Sequence, residues 1–189
     1  MNAVKALQPL AGTPLIQHTY NRLSGTVDEV IVVSSSREQS EMLARVLPSA
    51  RIVADRRGAG TPMDGAETGL RAAYGVYTFL VGADMPFIDP RVVVLLFAAA
   101  EGRSAATPAW TNGYVEPLHA VYRSGEAAEA TLRLVESGEN RLRMILLGLP
   151  DVARVPVEEI RRIDPELLTL RDVDSRRELA EAERILSLR

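Results

Sequence analysis

The chain has 189 residues, 47% of them hydrophobic, which suffices for one full core and is too little for two large domains. Its formal net charge of −3 offers no basic surface to a nucleic-acid backbone or an anionic membrane, so a phosphate-rich ligand must be held by local cations, helix N-termini or metal. With no cysteine and only two histidines, disulfides and Cys-based zinc sites are excluded and a multi-His metal site is disfavoured. No apolar run approaches the ~18 residues of a membrane span. Met1 leads into no signal-peptide pattern. The expectation is a single domain over residues 1–189, cytoplasmic, with no nucleic-acid or membrane partner.

In chain order, Met1 to Val4 reads as the start of a strand that stops early, and Lys5 to Thr13 as a loop. Pro14 opens a helix to about Leu23, with Leu15, Ile16, Thr19 and Leu23 on one side. Glu29 to Ser34 is a buried strand, Arg37 to Leu47 a helix stopped by Pro48, and Arg51 to Ala54 a short strand followed by Asp55. Residues 56–63 are loop-like, with Gly58, Gly60 and Pro62. Asp64 then suits the cap of a helix from Gly65 to Tyr74 that carries Gly65 and Gly69 on one face.

Tyr77 to Val81 is the apolar run around which the rest is organised. Asp84 follows at its C-terminal end, and Asp89-Pro90 forms an N-cap with proline at the first helical position, opening a helix from Arg91 to about Ala100. Ala105 to Pro108 and Pro117 to Tyr122 read as strands around an Asn112-Gly113 turn. Helices at 125–136 and 141–147, a short strand at 152–155 and a helical turn at 157–162 come next. Leu168 to Asp174 ends the sheet, and Ser175 caps a last helix with Leu179, Ala182 and Leu186 at helical spacing. Strands alternating with helices predict an α/β fold with a mainly parallel sheet, and the hairpin after residue 104 predicts one antiparallel strand near its edge.

Asp55, Asp84 and the Asp172/Asp174 pair each follow a predicted strand, the side of an open α/β sheet where ligands collect. Two carboxylates facing one gap can share a divalent metal that neutralises a triphosphate, and Lys5 is a candidate phosphate cation. Each has a plainer reading: a helix cap for Asp84, a solvated surface pair for Arg56-Arg57, a core or edge histidine for His119, and hairpin packing for Trp110.

Five motifs in order resemble the molybdenum cofactor guanylyltransferases, the MobA-like nucleotidyltransferases. Lys5-Ala-Leu-Gln-Pro-Leu-Ala-Gly-Thr-Pro-Leu-Ile16 is similar to that family's Lys-Ala-Leu…Gly-x-Pro-Leu-Ile run. Asp55, then Gly60-Thr-Pro-Met-Asp-Gly65 and Gly69-Leu70, resembles its Asp…Gly-Pro-Leu-x-Gly…Gly-Leu block. Ala83-Asp-Met-Pro-Phe87 resembles Cys-Asp-Met-Pro-Phe, and Glu116-Pro-Leu-His-Ala-Val-Tyr122 its Pro-Leu-x-Ala-x-Tyr strand. Arg171-Asp-Val-Asp-Ser175 with Leu179 is similar to Asn-x-Asn-Thr…Asp-Leu.

The resemblance implies a Rossmann-like, three-layer α/β/α, glycosyltransferase-A-like nucleotidyltransferase fold. It implies transfer of GMP from GTP to molybdopterin with release of pyrophosphate, Mg²⁺ as cofactor, and room for proteins that handle the molybdenum cofactor as partners. Carried over by position, Asp84 is the Mg²⁺ and nucleotide ligand and, with Lys5 on the triphosphate, the catalytic pair. Ser36, Asp55 and Gly65 lie on the nucleotide side; Pro117, Asp172 and Asp174 lie on the acceptor side. Alternatives within the resemblance are a transferase using CTP or another phosphorylated acceptor, and a non-catalytic relative.

Two departures bear on this. Asp172 and Asp174 replace two Asn, adding negative charge. The family's glycine-rich phosphate loop has no counterpart between the strand start and Lys5. One explanation is a glycine-rich loop missing from this sequence between Val4 and Lys5, which predicts a Cα separation there far above the ~3.8 Å of bonded neighbours. The other is a natural deletion, which favours the non-catalytic relative.

Overall fold

Two sheets with a trench between them form the middle layer of the molecule, a computed structural model that describes residues 3–55, 57 and 60–188. Ala3–Ala6 is a single helical turn, α1. It runs unbroken through Val4 and Lys5, as only bonded neighbours can. The predicted gap at that join is therefore wrong, and so is a strand at Ala3 and Val4. Met1 and Asn2 lie outside the described residues, as do Arg56 and Gly58. The predicted loop that follows contains a small hairpin, β1 (Pro9–Leu10) with β2 (Thr13–Pro14), which Ala11 and Gly12 close at positive φ.

Helix α2 (Leu15–Leu23) leads to β3 (Ile31–Ser34), α3 (Arg37–Val46) and β4 (Arg51–Ala54). Strands β3 and β4 pair in parallel through the α3 crossover, with Ile31 opposite Arg51 and Ser34 opposite Ala54. Ser36 starts α3 because its hydroxyl accepts the Gln39 N–H at 3.1 Å. Helix α4 (Pro62–Ala72) begins earlier than predicted. Thr61 is its cap, accepting the Asp64 N–H at 3.1 Å, and Asp64 sits inside the first turn.

Strand β5 (Tyr77–Val81), α5 (Pro90–Ala100), β6 (Ala105–Ala109), β7 (His119–Arg123), α6 (Ser124–Glu136), α7 (Arg143–Gly148), β8 (Val152–Pro156) and α8 (Val157–Arg161) follow. The second sheet has the order β5-β7-β6-β8. Its one antiparallel strand is β7, expected near the edge of the sheet but lying inside it, between β5 and β6. Along β7 the side chains alternate between two cores. Ala120 and Tyr122 join Met63, Leu70, Ala127 and Ile145 under α4, α6 and α7. Val121 joins Val92, Leu96, Val155 and Ile160 under α5 and α8. This period of two fixes a helix–sheet–helix sandwich.

Leu168 to Asp174 is no strand. Leu168–Leu170 is a 3₁₀ turn entered through Leu167 at φ 52°, and the rest is irregular. Helix α9 (Arg176–Ser187) closes the chain on a capping box, Ser175 and Glu178 each bonding the other's backbone N–H. Its apolar face covers Leu10, Leu15, Phe87 and Val173.

Candidate active site

The C-terminal ends of β3, β4 and β5 open onto one cavity of about 1300 Å³. Its floor is an apolar trench between β3 and β5. Its mouth is polar and holds Lys5, Ser34, Ser35, Asp55, Gly60, Thr61, Gly65, Asp84, Asp172 and Asp174. Six of the residues predicted from sequence thus meet there: Lys5, Asp55, Gly65, Asp84, Asp172 and Asp174. Ser36 and Pro117 do not line it. The Ser36 hydroxyl is spent on capping α3, and the Pro117 carbonyl accepts the Tyr122 hydroxyl at 2.9 Å. Their neighbours Ser35 and Leu118 face the cavity instead.

Asp84 is built by its surroundings. It follows β5 after Gly82 and is nearly buried, at 8% exposure. A Cβ at Gly82 would lie 2.5 Å from the Asp84 Oδ1, so only glycine lets the carboxylate fold back over the strand end. The Thr19 hydroxyl, buried on α2, sits 3.3 Å from the Ala83 carbonyl and 3.1 Å from that of Met85 and pins the loop. The Asp84 carbonyl accepts the Val173 N–H at 2.9 Å. That single backbone bond brings Asp172 and Asp174 to the site although no strand carries them. Sequence reasoning missed Thr19 as a positioning residue. Its signal was a hydroxyl on the apolar side of an amphipathic helix.

Lys5 donates to both Asp84 and Asp174, in ion pairs. Burial works to lower its pKa, but the hydrogen bonds to Asp174 and Asp84 outweigh it and leave the pKa raised. Asp172 has its pKa raised, first by burial and then by repulsion from Asp174 and Asp84. The mouth is therefore rich in carboxylate, with Lys5 the one Lys or Arg among the described residues that line it. A nucleoside triphosphate cannot sit against that surface without further positive charge.

Among the described residues no three acidic or histidine side chains cluster as a ready metal cage. Two carboxylates, Asp84 and Asp174, nevertheless converge on one cation, the Lys5 ammonium. One or two carboxylates plus substrate phosphates is the usual Mg²⁺ donor set, so these residues fit such an ion.

Asp55 accepts the Arg57 N–H at 3.0 Å in the turn after β4. His119 is a core histidine: it is fully buried, its edge packs on Phe79 at 4.9 Å, and burial depresses its pKa to about 3. It is no general base near neutral pH. Trp110 packs on Tyr114 at 5.2 Å across the Asn112-Gly113 turn.

The sequence model of the MobA-like NTP transferase domain matches residues 1–153. The chain belongs to the MobA-like NTP transferase family. As a MobA-like protein it is a nucleotidyltransferase-class enzyme. Among its curated relatives, a protein of Methanosarcina acetivorans named probable molybdenum cofactor guanylyltransferase is 34% identical over 177 residues, 90% of this chain and 78% of the relative. One of the same name from Natronomonas pharaonis is 33% identical over 186 residues, 97% of this chain and 90% of the relative. The crystal structure of molybdopterin-guanine dinucleotide biosynthesis protein A from Archaeoglobus fulgidus superposes with a TM-score of 0.85 at 28% identity, covering 98% of this chain and 91% of that one. A cytidylyltransferase of Thermus thermophilus, at 18% identity, covering 98% of this chain and 95% of that one with a TM-score of 0.69, shares the fold alone.

Proposed function

We propose that this MobA-like chain transfers GMP from GTP to molybdopterin and releases pyrophosphate in the cytoplasm. The observation that carries the reading is the convergence of Asp84, Lys5 and Asp174 at the C-terminal edge of β5. The acceptor's terminal phosphate oxygen attacks the α-phosphorus of GTP in line, a P–O bond forms to it, and the bond to the β-phosphate oxygen breaks. Asp84 and Asp174 hold the site's cation, and Lys5 turns from them toward the leaving phosphates as a mobile positive charge. Asp84 and Asp174 would hold Mg²⁺, which would supply charge neutralisation for the triphosphate and the leaving pyrophosphate. Asp55, Gly60, Thr61 and Gly65 border the nucleotide. Asp172, Asp174 and the Pro117–Leu118 turn border the acceptor.

The test is pyrophosphate release by the purified chain with GTP, Mg²⁺ and molybdopterin. Release is expected with all three present, at least 100-fold slower with CTP, and at least 1000-fold slower in Asp84→Asn, which preserves shape and removes charge. Equal rates in Asp84→Asn would take Asp84 out of the reaction; a preference for CTP would move the enzyme to another branch of the fold. The second reading, a non-catalytic relative, is favoured by the unbroken helix through Val4 and Lys5, which leaves no glycine-rich loop at that join. Absence of GTP binding with and without Mg²⁺ would select it.

A further inference from the structure

One buried amide at the cavity is only half used by the fold. Gln39, in the first turn of α3, lines the cavity and is 5% exposed. Its Oε1 accepts two hydrogen bonds from one residue, the Ser35 N–H at 2.6 Å and the Ser35 hydroxyl at 2.7 Å. A backbone N–H can only donate, so the atom it meets is the oxygen and the orientation of the amide is set. The other end of the amide, the Nε2 H₂ group, has no partner among the described residues. Leu43, one turn further along α3, is completely buried beside the same cavity and brings no polar side chain to it. An unmet donor on a nearly buried side chain costs stability, so its placement here points to an acceptor supplied by a ligand.

Gln39 stands with the residues that border the nucleotide. The Asp55 N–H donates to the Ser34 carbonyl at 2.7 Å, and Gly60 lies so near that an added Cβ would be 3.8 Å from the Ser35 Cβ. Lys5, Asp84 and Asp174 gather beyond the end of β5 instead. Phosphates belong with the cation there, and a neutral amide on the β3–β4 side suits the uncharged base.

On the reading that GTP is the nucleotide, we propose that Gln39 selects its base, the Nε2 donating to the guanine O6. Guanine presents an acceptor at position 6, whereas adenine and 2,6-diaminopurine present an amino donor there and cytosine presents one at position 4. Against an amino group the Nε2 H₂ meets donor with donor, and both are left unpaired. Ser35 holds the amide by two bonds, so the oxygen cannot turn to the base without losing both. A donor fixed in this way discriminates, where a freely turning amide would serve either edge.

The test is equilibrium binding of GTP and of 2,6-diaminopurine riboside triphosphate, each with Mg²⁺, to the purified chain. The two nucleotides share sugar, phosphates and 2-amino group and differ at position 6 and in the N1 proton. Wild type is expected to favour GTP by about 30-fold or more. Gln39→Glu keeps the shape and the Ser35 bonds on one oxygen and turns an acceptor to the base. The ratio of the two affinities, in which repulsion between the new charge and the triphosphate cancels, is expected to fall by about 30-fold or more. Gln39→Met removes the donor without adding charge and is expected to lower the ratio by about 10-fold. Melting curves establish that each variant is folded, and a purely structural role for Gln39 would move those curves and leave the ratio alone. A ratio unmoved in either folded variant overturns the proposal and leaves GMP transfer standing. So does equal affinity of the wild type for the two nucleotides, which means that ribose or water meets the amide. Absence of GTP binding by the wild type removes both this proposal and the function on which it rests.

Discussion

The strands that flank the trench and those away from it use the same kinds of residue and reach different ends. In β6 and β7, Ala105, Ala106, Ala120, Val121 and Tyr122 are completely buried, because each strand has a neighbour on both edges and helices on both faces. In β3 and β5, Ile31, Val32, Val33, Phe79, Leu80 and Val81 are only partly buried, although helices cover them too. Hydrophobicity is equal; strand neighbours are not. Burial in a sheet is set by what lies beside a strand as much as by what lies over it. The polar mouth stands above the less complete side, so site and weak packing share one place.

The strongest test of this contrast is a matched pair of truncations. Leu96→Ala, on the complete side, should cost about 2–5 kcal/mol in urea unfolding. Ile31→Ala, beside the trench, should cost less than half as much, since its side chain is already partly hydrated. Equal losses would erase the distinction.

Next in size is the charge that joins the two sides at the mouth. Lys5→Met should lower stability by about 2 kcal/mol near pH 7, because Asp84 and Asp174 are left facing each other unpaired. Lys5 has a raised pKa, so its contribution is full below the ordinary value of 10.5 and fades as pH rises through the raised one. The difference between wild type and variant should therefore close in alkaline buffer, and a gap constant to the highest pH would mean the pairs contribute nothing.

Smaller still is Ser175→Ala. Loss of the capping box should cost about 1 kcal/mol, read as a falling melting temperature. It sharpens the comparison, because α9 holds Val173 and hence the Asp84 loop.

The smallest expected effect is a gain. Asp172 has a raised pKa, so its ionisation opposes folding at neutral pH, and the stability it contributes is complete only below the ordinary 3.8. Asp172→Asn should raise the melting temperature by about 1–2 °C at pH 7 and by nothing below pH 3.8. A fall at pH 7 would show that the negative charge supports the fold.

Much of this was legible in the chain. Tyr77–Val81 reads as a strand from its own apolar and β-branched residues, and the caps at Asp89 and Ser175 act within three residues of themselves. The motif order gave the family, and predicted strand ends pointed to four of the mouth's residues, Asp55, Asp84, Asp172 and Asp174, of which only Asp55 and Asp84 follow observed strands. Where reading failed, a local pattern had a distant competitor. Leu168 to Asp174 has apolar residues spaced like a strand, yet the Val173 N–H donates to the Asp84 carbonyl and the Thr169 N–H to Asp164 Oδ2 at 2.7 Å, so its backbone is spent on loops. Ala3 and Val4 read as a strand from their apolar residues, yet they belong to the helical turn Ala3–Ala6.

The sequence by itself determined many local events, such as the strand Tyr77–Val81, the helix starts at Asp89 and Ser175, and the carboxylates Asp55 and Asp84 beyond strand ends. Hydrophobic period and capping bonds span a few residues and need no distant partner. Only the tertiary structure decided that Lys5 reaches Asp84 and Asp174, 79 and 169 residues away, and that β3 and β5 face each other across a trench. Those outcomes depend on how strands are ordered in the sheets. That order is a property of the whole chain's packing and is written in no single stretch of it.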